Sequence, residues 1–185
     1  MTAVQERYEI ERAKWDAHAS TRIDTIEPPL PGEDFASRAS REALLPGVAE
    51  FLGDLRGKRV IEYGCGLGQL TVLLARSGAQ VTAFDISGPS IEVARERAKL
   101  TGVERDITFA VAPGEALPFD DASFDIAFGK AVLHHLDPVA GSKELARILN
   151  SPDMKERFLG MGAAWRRDLH RGSLSDIDLG TLVGP

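Results

Sequence analysis

Val60-Ile61-Glu62-Tyr63-Gly64-Cys65-Gly66-Leu67-Gly68-Gln69 joins an apolar strand to three alternating glycines and then to a run with helical spacing. Lys58 to Ile61 reads as a strand entering a sheet, and Leu70, Val72, Leu73, Leu74 and Ala75 supply the apolar face of the helix that follows. The glycines fall at the turn. Without Cβ atoms they permit left-handed backbone angles and let a ligand approach the main chain, beside the unpaired N–H groups that open the helix. A dinucleotide fingerprint spaces its glycines G-x-G-x-x-G and aims the helix at a pyrophosphate. Here the spacing alternates strictly, with Glu62 just ahead. A tight turn in some other α/β protein also accounts for the loop taken alone.

Downstream, strand and helix patterns alternate, which predicts βαβ units and a mostly parallel sheet. Gln80 to Phe84, Ile107 to Val111 and Phe124 to Phe128 read as the second, third and fourth strands. Ser87 caps the helix that closes at Gly102, with Pro89 in its first turn; Asp137 followed by Pro138 starts another that runs to about Leu149. Upstream, Glu6 to Ala19 predicts an amphipathic helix carrying Trp15. Glu27 to Gly32 reads as a proline-rich loop, and a helical stretch from Asp34 to Leu55 is interrupted at Pro46.

At 185 residues and 43% apolar content the chain suits one domain with a sizeable core. Its 22 basic and 28 acidic residues leave a net charge of −6, which argues against a nucleic-acid partner and favours a small neutral or cationic one. No apolar run approaches membrane-spanning length and Met1 to Ala19 is charged throughout, so no membrane partner and a cytoplasmic location are expected. The single cysteine, Cys65, excludes a disulfide within the chain and a cysteine-based zinc site. No metal is expected.

Asp85 ends the second strand, where a carboxylate can accept two hydrogen bonds from a ribose diol or simply cap the turn. With Glu62 and the alternating Gly64, Gly66 and Gly68, this segment resembles motif I of the class I S-adenosylmethionine-dependent methyltransferases. Two further stretches resemble that family. One is Pro113-Gly114-Glu115-Ala116-Leu117-Pro118-Phe119 with the following Ser123-Phe124-Asp125; the other is Gly129-Lys130-Ala131-Val132-Leu133-His134-His135-Leu136, similar to motif IV. The resemblance implies a Rossmann-like three-layer α/β sandwich that binds S-adenosyl-L-methionine, releases S-adenosyl-L-homocysteine and methylates O, N or C of a small-molecule acceptor. It implies cofactor contacts at Glu62, Gly64, Cys65, Gly66, Gly68, Asp85, Ile86, Gly114, Glu115, Ala116 and Lys130. Pro113 replaces the first acidic residue of the family's adenine-reading pattern, so Glu115 and the main chain around Gly114 to Ala116 inherit that contact.

Histidine as a residue type has an imidazole able to exchange a proton near neutrality, which suits either a base for the acceptor or a group that organises the loop. His135 matches the more regularly occupied family position and is preferred over His134. Tyr8 and Trp15 are expected to lid the pocket, with Tyr8 and His135 as an acid–base pair.

The resemblance covers Lys58 to Leu149, giving three expected regions: a helical cap over residues 1–56, a cofactor-binding core over 57–150 and a divergent helical tail over 151–185. No stretch after Leu149 reads as a strand. A truncated sheet of four or five strands is therefore expected, with an amphipathic helix from Met154 to Leu169 or a second subunit covering its exposed edge. A shortened sheet of this kind keeps a second reading open: a cofactor-binding or partner-binding protein with little turnover.

Overall fold

The computed structural model describes residues 2–22, 26–41, 48–150 and 181–183. Its centre is β1 (Arg59–Tyr63), buried along four of its five residues. That burial explains the apolar run: a strand covered on both faces cannot alternate with polar residues. β1 pairs in parallel with β2 (Gln80–Asp85) on one side and β4 (Ile126–Lys130) on the other, and β3 (Ile107–Val111) joins outside β2. Among the described residues the sheet order is β3-β2-β1-β4-β5. The order reverses between β1 and β4, the place where open α/β sheets leave a crevice at the carboxyl ends of their strands.

Side chains alternate between two cores, as the pleat requires. Val60, Val81, Ile126 and Phe128 face one cluster with Leu73, Leu74 and Ile91; Ile61, Tyr63, Phe84 and Ala127 face another with Leu145, Ile148 and Leu149. α4 (Gln69–Arg76) and α5 (Gly88–Thr101) cover the first face, together with α2 (Phe35–Ala39) and α3 (Val48–Leu52), and α6 (Pro138–Ile148) covers the second. The result is the expected three-layer sandwich.

The expected caps form. Ser87 accepts from the Ser90 N–H, Gly102 closes α5 in the left-handed region, and Asp137 accepts from the N–H groups of Val139 and Ala140 ahead of α6. Two readings shift. β4 starts at Ile126 rather than Phe124, because Phe124 is drawn into a bridge with Leu149 and the Asp125 carboxylate binds the Arg59 backbone N–H at 2.9 Å and its guanidinium at 2.6 Å. The helical stretch after Asp34 resolves into the short α2 and α3, while Pro46 lies outside the described residues.

The sheet also gains a strand the sequence does not announce. β5 (Thr181–Val183) runs antiparallel along β4, so a strand takes the edge that a helix was expected to cover. Three residues are too few to show a period. The helix expected from Met154 to Leu169 lies outside the described residues.

α1 (Ala3–Ser20) opens with a capping box in which Thr2 and Gln5 bond reciprocally. Ala19 near its end joins Leu67 and Val93 in a small cluster on the outside of the glycine turn. The linker behind it is anchored by Arg97, whose guanidinium donates to the carbonyls of Leu67, at 2.9 Å, and Glu27.

Gly68 caps α4 at φ +76°, and a Cβ there would lie 2.7 Å from Ala94 Cβ. Gly68→Ala therefore meets both left-handed strain and a clash with the α5 backbone, and is expected to cost about 3 kcal/mol. Urea unfolding measures it; a loss no larger than that of an ordinary surface glycine would show that α4 and α5 are not held in this contact.

Candidate functional site

The crevice at the β1/β4 reversal holds a cavity of about 430 Å³, roofed by α1. That size suits a small-molecule ligand. Its floor is the glycine loop. Gly64, at φ +67°, lies so close to the segment after β4 that a Cβ would sit 2.5 Å from Val132. Gly66, at φ +53°, faces open space instead, so its missing side chain leaves room for a ligand to cross the main chain. Gly68 does not line the cavity; its role is the packing of α4 on α5.

Two acids sit behind the loop. Asp85 accepts from the Gly66 N–H at 2.9 Å and the Ser87 N–H at 3.0 Å, fixing the loop to the end of β2. Burial nonetheless raises its pKa above the usual carboxylate value. Glu62 is only 4% exposed and accepts a hydrogen bond from the Thr71 hydroxyl of α4. Burial pushes its pKa up to about 8; Thr71 works against the shift and the charge of Asp85 adds to it. Cys65 is held by its N–H to the Phe84 carbonyl at 2.9 Å, and burial drives its thiol far from ionisation. It is a small wall residue of the cavity.

The segment after β3 is fixed by packing. A Cβ on Gly114 would lie 2.7 Å from the Tyr63 ring, and the Tyr63 hydroxyl donates to the Gly114 carbonyl. Glu115 lines the cavity, but its carboxylate is committed: Oε1 accepts from Arg7 of α1 at 2.6 Å and from the Asp137 N–H at 2.8 Å. With a side chain 4% exposed, it is a buried latch for α1 rather than a free reader of adenine. Ala116 is exposed and spends its N–H on the Pro113 carbonyl at 3.1 Å, so it too is not presented to the cavity.

Ile86 and Lys130 line the wall at the ends of β2 and β4. Ala131, next along, has φ +56°, an unusual backbone for a residue with a side chain and the kind of strain that gathers at functional sites. The turn beyond it places His135 in the cavity wall and leaves His134 exposed beside it, with ring centroids 4.0 Å apart.

α1 contributes Tyr8, Glu11 and Trp15, whose spacing puts them on one helical face above the site. That face meets the cavity with a mixture of charged and aromatic side chains rather than an apolar stripe, so the amphipathic pattern expected of α1 is weak. The expected Tyr8 and His135 pair does not form. Burial, reinforced by the charge of Glu115, pushes the Tyr8 phenol up to about 12, while His135 Nδ1 lies 3.2 Å from Glu11. Glu11 and Arg7 escaped the sequence reading. Their spacing from Tyr8 and Trp15 was the available signal, but charged residues at such positions usually face solvent.

Among the described residues no cluster of histidine, cysteine or acidic side chains suits a metal ion, and no helix is long and apolar enough to cross a membrane.

Residues 61–152 match the family profile described as a methyltransferase domain. The chain is 40% identical over 108 residues to a ubiquinone biosynthesis O-methyltransferase of Methylocella silvestris, covering 58% of this chain and 41% of that one. It is 36% identical over 145 residues to the methyltransferase GfsG of Streptomyces halstedii, covering 77% and 49% respectively. Among solved structures it resembles the [4+2]-cyclase SpnF, with 30% identity and a TM-score of 0.51 over 55% of this chain and 38% of that one. The chain thus spans about half, or less, of the length of these curated relatives.

Glu62 makes stability depend on pH. Its folded pKa of about 8 lies above the ordinary 4.5, so the folded state holds a proton that the unfolded state releases, and stability falls as pH rises through that window. Glu62→Gln should flatten this fall, raising Tm relative to wild type more at pH 8 than at pH 5. Parallel Tm–pH curves for the two proteins would show that Glu62 is ionised throughout.

Proposed function

We infer that the chain is a class I S-adenosylmethionine-dependent methyltransferase whose cavity binds S-adenosylmethionine and directs its methyl group to O, N or C of a small-molecule acceptor. The observation that carries this reading is the open face of Gly66, flanked by Asp85 and Glu62 at the sheet reversal. When bound, the cofactor supplies an electrophilic methyl group on a sulfonium. The residues here suit its two polar ends.

Asp85 accepts from Gly66 and Ser87 on separate oxygens, with the Ile86 N–H also turned to it, and its remaining lone pairs suit the ribose hydroxyls. Glu62 supplies a carboxylate for the amino group, and Gly64 and Gly66 leave the amino-acid portion space along the main chain. Ile86 and Gly114 form the walls of the adenosyl end. α1, as the working part of a cap over residues 1–56, closes the acceptor side through Tyr8 and Trp15. His135 takes the acceptor's proton where one must leave, and positioning alone supplies much of the acceleration. The small-molecule acceptor is supported by the relatives, a ubiquinone biosynthesis O-methyltransferase among them, and by a cavity of small-molecule size.

A second reading is favoured by one observation: SpnF, 30% identical over 55% of this chain, is a [4+2]-cyclase. A protein of this fold that binds the cofactor without transferring its methyl would leave S-adenosylmethionine intact. Methyl transfer to a metabolite panel separates the two.

Calorimetric titration should show S-adenosylmethionine and S-adenosylhomocysteine binding and NAD failing to bind, with Asp85→Ala weakening the first two roughly tenfold or more. No binding by either adenosyl compound would sink the reading. Because Glu62 is protonated below about pH 8 and a cationic amine needs its carboxylate, binding should release a proton. Affinity is expected to strengthen by up to about tenfold per pH unit toward pH 8 and then level, a slope that Glu62→Gln removes.

A further inference from the structure

The geometry points to Glu11 as the positioning residue for His135: the N-terminal helix completes the proton acceptor of the site, through a Trp15–Glu11–His135 relay that forms only while α1 is seated. The inference rests on the methyl-transfer reading above, but its core is a set of contacts that can be observed without an acceptor.

Glu11 and His135 are far apart in the chain and meet across the cavity, with Nδ1 3.2 Å from Oε2 and side chains only 19% and 23% exposed. Partial burial makes this contact count for more than an exposed pair would. The same carboxylate oxygen accepts from the Trp15 indole N–H, one helical turn along, at 3.1 Å. The indole also packs edge-on against the imidazole, with centroids 5.4 Å apart and an interplanar angle of 89°. Thus the indole orients the carboxylate, and the carboxylate and the indole together orient the imidazole. An orienting acid behind a base is a recurring way to fix its tautomer.

Around them, Arg7 of α1 donates to the His135 carbonyl at 3.1 Å and to Glu115 at 2.6 Å, while His134 stands beside the ring on its own turn. Lys14 of α1 acts on His134, whose titration is already lowered by partial burial and by His135. Arg7 is engaged at its carbonyl and Glu115, so Glu11 is the group that meets Nδ1. It holds the proton there and leaves Nε2 with its lone pair. The proton of an acceptor O–H or N–H then passes to Nε2, and the electron pair of the broken bond stays on the acceptor atom. Because two of the three relay members are on α1, lifting the helix removes the base's orientation along with the roof.

Long-range proton–nitrogen NMR of histidine-labelled protein near pH 8, where imidazoles are mostly neutral, reads the tautomer directly. His135→Gln identifies the signals. Wild-type His135 should carry its proton on Nδ1. Glu11→Ala should shift the ratio roughly tenfold toward Nε2–H, and Glu11→Gln, whose amide oxygen still accepts, should restore Nδ1–H. A wild-type His135 protonated on Nε2, or a Glu11→Ala protein that folds with the tautomer unchanged, overturns the proposal. Should Glu11→Ala not fold, the wild-type spectrum still decides by the position of the proton. Failure of the adenosyl titrations would sink the functional reading and leave this tautomer result standing, so the two can be told apart.

Discussion

A half-buried carboxylate bonded to two backbone N–H groups is the constraint on which the rest depends. Asp85 ends β2 beside the end of β1, because the parallel register sets Tyr63 opposite Phe84 and puts Asp85 one residue further on. From there it pins Gly66 and Ser87, fixing at once the glycine loop and the entrance to α5. Charge-assisted hydrogen bonds of this kind are stronger than neutral ones, and losing one would strand a donor in a poorly solvated place. The loop therefore holds its shape before any ligand arrives, an advantage for binding because ordering it costs nothing at that moment.

α1 is tied down by a different device. Glu115 is buried, and its charge is tolerable because Arg7 and the Asp137 N–H meet it. Taking either partner away would leave a carboxylate with too little compensation, so the bond works mainly as a penalty on misplacement. It joins three separate segments at one oxygen atom: the cap helix, the segment after β3 and the start of α6. The cavity's roof and wall are thereby set by the same atom.

Much of this was legible in the sequence. Gly64, Gly66, Gly68, Ser87, Gly102 and Asp137 each announce a turn or cap through a local backbone requirement, and the buried strands announce themselves as apolar runs. What escaped was what depends on distant partners. Nothing local tells Glu115, on an ordinary polar loop, that Arg7 will reach it, or Glu11 that His135 will lie beneath it. The Tyr8 and His135 pairing failed for that reason: the right elements were brought together, but the facing residue was one turn away. β5 escaped because its pairing is supplied by β4, not by its own three residues.

Arg97 gives the cap a different status from that of a loose appendage. One buried guanidinium serves a carbonyl of the glycine turn and a carbonyl of the linker behind α1. The two segments consequently share a cooperative fate: an excursion that frees the linker strips a partner from the turn, and a turn that frays loosens the linker. Access to the cavity is then a matter of partial unfolding energetics as much as of a swinging door, with the cost of opening borne jointly by the binding loop and its cover.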